Sequence, residues 1–136
     1  MCKNPQIIFS VIIVDEESAV FTGLSDCIGE MNHVKLTHIK SIIELMDWCN
    51  SENTTDLVLL DSGFGNGLAY AIASFLKIKI TPQPIIVLMP YFGMTPLTFA
   101  LIAGCDEVIC KPVHADELLA VLKKVERNHE SKELEK

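Results

Sequence analysis

Three charged points interrupt an otherwise apolar framework. Asp15-Glu16-Glu17 follows the apolar run at 7–14, Asp61 follows Leu57-Val58-Leu59-Leu60, and Lys111-Pro112 follows Val108-Ile109-Cys110. Each preceding run is nearly all apolar, and the first is rich in β-branched residues, the pattern of strands buried on both faces. In an open parallel α/β sheet the C-terminal strand ends share one edge, and ligands bind there. Carboxylates from two segments and an ammonium from a third would then meet in one pocket. That donor set suits a divalent cation together with a phosphoryl group.

The elements that would hold these points alternate along the chain. The spacing predicts β1 at 7–14 and α1 at 18–31, with Val20, Leu24, Cys27, Ile28 and Met31 at helical intervals. An alternating segment at 34–39 reads as an edge strand, β2. Ser41-Ile42-Ile43-Glu44 fits a capping box and opens α2, which runs to about Asn50. A polar loop at 51–55 leads to β3 at 56–60. After a loop containing Gly63, Gly65 and Gly67, α3 covers 68–78 with Leu68, Ile72, Phe75 and Leu76 on one face. β4 follows at 85–89. Thr95-Pro96 opens α4 at 97–103, and Gly104 stops it. β5 at 108–110 and α5 at 116–128 complete five β-α pairs. The expected fold is α/β, a doubly wound five-stranded parallel sheet.

Composition narrows the function classes. The chain has 136 residues, 49% hydrophobic and 21% charged, which suits one globular domain rather than disorder. A net charge of -7 disfavours direct nucleic-acid binding, which rests on neutralising phosphates. No apolar run approaches a membrane span. Cys2, Cys27, Cys49, Cys105 and Cys110 are odd in number and show no C-x-x-C spacing, so they read as buried thiols in a reducing, cytoplasmic setting. The glycines at 63, 65 and 67 lack the lysine and hydroxyl of a P-loop, and their spacing is not that of a dinucleotide site.

At Asp15-Glu16, Asp61 and Lys111-Pro112, the chain resembles the receiver domain of two-component response regulators. Asp56-Leu57-Val58-Leu59-Leu60-Asp61, Gly67-Leu68, Pro84-Ile85-Ile86-Val87-Leu88 and Ala103-Gly104-Cys105-Asp106-Glu107 add local matches in the right order. The resemblance implies a flavodoxin-like sheet of strand order 2-1-3-4-5, a receiver domain over 1–128, and a charged tail or the start of a linker over 129–136. It implies Asp61 as the phosphoacceptor, served by a sensor histidine kinase or phosphotransfer protein. It further implies Mg²⁺ held by Asp15, Glu16, Asp61 and the backbone carbonyl of Gly63, and Lys111 paired with the carboxylate and then with the phosphoryl group. Such a domain is not an enzyme. It signals through homodimer contacts on α4-β5-α5 or α1-α5, with an output such as transcription carried by an attached or partner domain. Val20-Phe21-Thr22-Gly23-Leu24 is similar to regulators bearing a C-terminal helix-turn-helix domain.

The chain departs from the family at its switch. The second acid of the pair, most often Asp, is Glu16, whose extra methylene carries the carboxylate about 1.5 Å further out. The Ser or Thr expected at the end of β4 is Met89, and the aromatic expected in β5 is Val108. A thioether offers no donor to a phosphoryl oxygen. Tyr91 lies near enough to be a substitute hydroxyl, and Thr95 is too far along. The β3-α3 loop, Ser62-Gly63-Phe64-Gly65-Asn66, is short by about two residues against the family. Two readings follow: a phosphorylation-controlled receiver, or a pseudo-receiver that works as an interaction module without phosphoryl transfer.

Overall fold

The computed structural model describes residues 8–28, 33–79, 85–89, 101–111 and 114–134. Within them, β1 (Phe9–Val14), β2 (Val34–Ile39), β3 (Leu57–Asp61), β4 (Ile85–Met89) and β5 (Glu107–Val108) form one parallel sheet of order β2-β1-β3-β4-β5. Helices α1 (Ala19–Ile28), α2 (Ile42–Asn50), α3 (Ala69–Lys79) and α5 (Ala115–Leu134) cover it. Of the helix expected at 97–103, Leu101 and Ile102 are helical, and 97–100 fall outside the described residues.

Strand alternation divides the core into two halves. Ile12, Val14, Val58 and Leu60 join Leu45, Cys49, Phe64, Ala69, Ala73 and Leu76 in a cluster under α2 and α3. Val11, Ile13, Leu57 and Leu59 join Leu24, Leu118, Leu122 and Val125 under α1 and α5. Side chains of a strand alternate in direction, so one run of aliphatic residues serves both layers. Asp15 lies two residues beyond Ile13, and Asp61 two beyond Leu59. Lys111 lies two beyond Ile109, which belongs to the same α1-α5 half. All three charged residues therefore continue one face of the sheet past its apolar part.

The opening of β3 is clamped to β1. Asp56 N donates to Ser10 O at 2.8 Å, Ser10 N donates to Asp56 Oδ2 at 2.8 Å, and Thr55 Oγ1 donates to Ser10 O at 2.9 Å. The polar stretch that reads as loop thus locks the register of the two central strands. At α2, Ser41 Oγ accepts from Glu44 N at 3.2 Å, as the capping box requires. Glu44 Oε2 accepts from Lys40 N at 3.1 Å, one residue before the cap. Gly104 ends α4 with φ +95 and donates its N–H to Leu101 O at 3.0 Å, the left-handed stop expected of it.

Several boundaries differ from the sequence reading. β1 begins at Phe9, and Ile8 is exposed. β5 is Glu107–Val108 rather than 108–110, because Val87 and Leu88 of β4 pair with Glu107 and Val108. Cys110 therefore lies beyond the strand and is exposed, whereas Cys49 and Cys105 are buried. α5 reaches Leu134, since Glu- and Lys-rich sequence sustains a helix where apolar spacing has ended.

The buried face of α3 is Ala69, Ala73 and Leu76, not the stripe containing Leu68, Ile72 and Phe75. Two apolar stripes overlap in this sequence, and the alanines let the helix approach the sheet closely. Leu68 and Phe75 stay exposed and line a shallow strip with Ile42, Met46 and Ile72 of the α2-α3 side. No helix among the described residues is long and apolar enough to cross a membrane.

Candidate functional site

Asp15, Asp61 and Lys111 meet at the C-terminal edge of the sheet. The register Val14↔Leu60 puts the residues that follow, Asp15 and Asp61, side by side. Lys111 arrives from the far end of the sheet, and its ammonium lies between the two carboxylates. Lys111 Nζ is 2.6 Å from Asp61 Oδ1 and 3.3 Å from Asp15 Oδ2. All three residues are buried, at 1%, 7% and 7% exposure for Asp15, Asp61 and Lys111. Burial alone would pull the lysine's pKa down. Its hydrogen bond to Asp61 and the charges of Asp15 and Asp61 outweigh that, and the pKa is raised.

The remaining oxygens are held by backbone. Asp15 Oδ1 accepts from Glu17 N at 3.0 Å, and Asp61 Oδ2 accepts from Gly63 N at 3.1 Å. Asp61 Oδ1 makes its close contact with the Lys111 ammonium. A Cβ on Gly63 would lie 3.1 Å from Asp61 Oδ2, so glycine there permits the close approach of the loop.

Glu16 is placed differently from its acidic neighbours. It is exposed, and its Oε1 accepts from Gly65 N at 3.3 Å, which ties the start of the β1-α1 turn to the β3-α3 loop. The loop itself is built on left-handed residues, Gly65 (φ 69), Asn66 (φ 58) and Gly67 (φ 98). Asn tolerates that region better than other side chains do. Phe64 anchors the loop, fully buried in the α2-α3 half of the core, with its N–H donated to Asp61 O at 3.1 Å.

A hard divalent cation is matched by type to these oxygens. Asp15 and Asp61 present buried carboxylates on one edge, with the Lys111 ammonium as counter-charge to Asp61 Oδ1. Among the described residues, no three acidic, histidine or cysteine side chains already surround one point as a metal site, since the ammonium stands between two acids and Glu16 reaches toward Gly65.

The two switch positions fall as follows. Met89 ends β4 and pairs in register with Asp61, the place where the resemblance implies a hydroxyl. Val108 lies in β5, half-buried against the α2-α3 half of the core. Pro112, Tyr91 and Thr95 lie outside the described residues. Sequence reasoning missed Phe64 and His38. Phe64 is signalled only by an aromatic residue between glycines. His38 stacks on Phe21, with ring centroids 5.0 Å apart, and its Nε2 is 2.9 Å from Asp15 O.

The cysteines give a pH test. Burial and the charge of Asp106 push the Cys105 thiol up to about 11, partly countered by Lys77, and burial also raises Cys49. A thiol that ionises near 8.5 when unfolded but stays protonated when folded binds more protons in the native state. Stability is full below about pH 8.5 and erodes as pH rises toward 11. The raised lysine acts in the same direction, its stabilisation being lost above its folded pKa. Iodoacetamide at pH 8 is expected to modify Cys110 and spare Cys49 and Cys105 until denaturant is added. Peptide mapping checks this, and equal labelling of all three in the native protein would contradict it.

Comparison of the sequence with protein-family models and with curated proteins yields no match. Solved structures do match. A response regulator from Thermotoga maritima has a TM-score of 0.75 at 20% identity, covering 88% of this chain and 98% of that one. A signal receiver domain from Vibrio parahaemolyticus has a TM-score of 0.77 at 12% identity, covering 94% and 97%. A response regulator from Burkholderia pseudomallei, solved with a phosphorylated aspartic acid, a calcium ion and citrate, has a TM-score of 0.68 at 16% identity, covering 93% and 74%. The chain thus has the receiver-domain fold of response regulators, in agreement with the resemblance its acidic and basic points carry.

Proposed function

We propose that the chain is a receiver that accepts a phosphoryl group on Asp61 from a sensor histidine kinase or phosphotransfer protein. The observation that carries this reading is Lys111 Nζ set between Asp61 Oδ1 at 2.6 Å and Asp15 Oδ2 at 3.3 Å on the ligand-binding edge of the sheet. An Asp61 oxygen forms the new O–P bond while the donor's N–P bond breaks, and the histidine leaves. Lys111 orients the carboxylate beforehand and is in reach of the charge that the phosphoryl oxygens bring. The domain is a stoichiometric acceptor, not an enzyme. It works in the cytoplasm and does not bind nucleic acid itself. An attached or partner domain carries the output, such as transcription, and homodimer contacts through α4-β5-α5 or α1-α5 transmit it.

Asp15, Glu16, Asp61 and the Gly63 carbonyl would hold Mg²⁺. The ion supplies charge that screens the approach of two anions and orients their oxygens. Glu16 Oε1 already accepts from the Gly65 N–H, so ligation through that oxygen would compete with this bond, while Oε2 is left to the ion. The test is thermal melting against Mg²⁺ concentration. At ten times its Kd the ion is expected to stabilise the fold by about 1.4 kcal/mol. Asp15→Asn should remove most of that gain. Melting that is independent of Mg²⁺ up to tens of millimolar would count against the site.

A second reading, a phosphorylation-independent pseudo-receiver, is favoured by Met89 in register with Asp61 and by Val108 in β5. A hydrogen bond to a charged oxygen is worth roughly 1.5–3 kcal/mol, about the size of a typical allosteric coupling. A receiver without that bond would hold a phosphoryl group yet transmit little from it.

A further inference from the structure

We propose that His38 is a positioning residue for the acidic corner, acting through the backbone carbonyl of Asp15; the proposal rests on Asp15 being part of the phosphoacceptor site. Asp15 is the first residue beyond β1. Its N–H still donates to Ile39 O at 3.1 Å, so the residue remains stitched to β2 on one side. Its carbonyl gets no such continuation. β2 ends at Ile39, and Ser41, whose N–H would come next in the ladder, is already the N-cap of α2. A buried carbonyl without a donor is costly, and His38 supplies one from Nε2 at 2.9 Å.

A carbonyl only accepts, so the proton sits on Nε2. The ring is held in turn by its stack on Phe21 of α1, with an interplanar angle of 12°. The peptide plane between Asp15 and Glu16 is thereby fixed from outside the site. The plane sets where the Asp15 carboxylate meets Lys111 and where Glu16 begins its reach to Gly65. Glu17 N, which donates to Asp15 Oδ1 at 3.0 Å, belongs to the same corner. Partners that orient a ligating group without touching the ion commonly change metal affinity by about 10- to 100-fold when removed.

Two variants separate this role from packing. His38→Phe keeps a ring on Phe21 and removes the N–H. His38→Gln restores an N–H at the position of Nε2 and removes the ring. In the metal-free protein, amide exchange at Glu17 is expected to quicken about tenfold in His38→Phe and to stay near wild type in His38→Gln. The Kd for Mg²⁺, followed by titration calorimetry, should rise about tenfold in His38→Phe and by less than about threefold in His38→Gln. Wild-type exchange and affinity in His38→Phe, or equal defects in both variants, would overturn the proposal. If the wild-type protein binds no Mg²⁺ the phosphoacceptor reading fails, and the metal-free exchange comparison still decides for or against His38.

Discussion

Lys111→Met is expected to destabilise the protein by about 3 kcal/mol in Mg²⁺-free buffer, near the lower end of the loss seen when one partner of a buried ion pair is removed. The ammonium lies between Asp15 and Asp61 and pairs with both. Methionine fills a similar volume, so the loss comes from charge rather than from a cavity. For a domain of this size the melting temperature should fall by about 10 °C. Asp61→Asn alone should cost far less, because it leaves the Asp15–Lys111 pair intact and removes one of two close anions. Combining Asp61→Asn with Lys111→Met should therefore cost clearly less than the sum of the two single changes. Additive losses would mean that the lysine stabilises the fold through its aliphatic stem and not through the carboxylates.

The second large effect is expected at Phe64. Truncation to alanine should cost about 3–5 kcal/mol, the range for a fully buried aromatic ring. Phe64→Leu refills most of the space and should cost roughly 1–2 kcal/mol. The consequence reaches the site, because Phe64 is the one buried side chain larger than glycine in a loop otherwise built from glycine, serine and asparagine. Its N–H donates to Asp61 O, and Gly63 just before it donates to Asp61 Oδ2. Urea unfolding gives the stability loss, and amide exchange at Gly63 reports the loop. Rapid exchange at Gly63 in Phe64→Ala, with slow exchange kept in Phe64→Leu, is the expected pair of results. A large stability loss with Gly63 exchange unchanged would show that the loop holds its shape without the ring.

The acidic and basic points were legible because they continue strand alternation. Val11-Ile13-Asp15, Leu57-Leu59-Asp61 and Ile109-Lys111 each step along one face, and parallel order brings their ends to one edge. The cap at Ser41 and the stop at Gly104 follow from equally local rules, whereas the sheet order is the one the family resemblance implies. The rotation of α3 was not legible, since hydrophobicity ranks Leu68 and Phe75 above Ala69 and Ala73, whereas close packing on a sheet favours the alanines. Phe64 was hidden by its glycine-rich surroundings, which read as solvent-facing loop. The alternation of β2 gives His38 a direction, but its partner is a carbonyl 23 residues away, which no local pattern reveals. Glu16 could be seen as one methylene too long. That its carboxylate reaches the Gly65 N–H could be learned only from three dimensions.

The most direct test of the receiver reading is the intact mass of the protein after incubation with a small-molecule phosphoryl donor and Mg²⁺, beside a receiver that is labelled under the same conditions. Wild type is expected to gain one phosphoryl group, and Asp61→Asn none. An unmodified wild-type mass with the companion receiver labelled, or an undiminished adduct on Asp61→Asn, would contradict Asp61 as the phosphoacceptor.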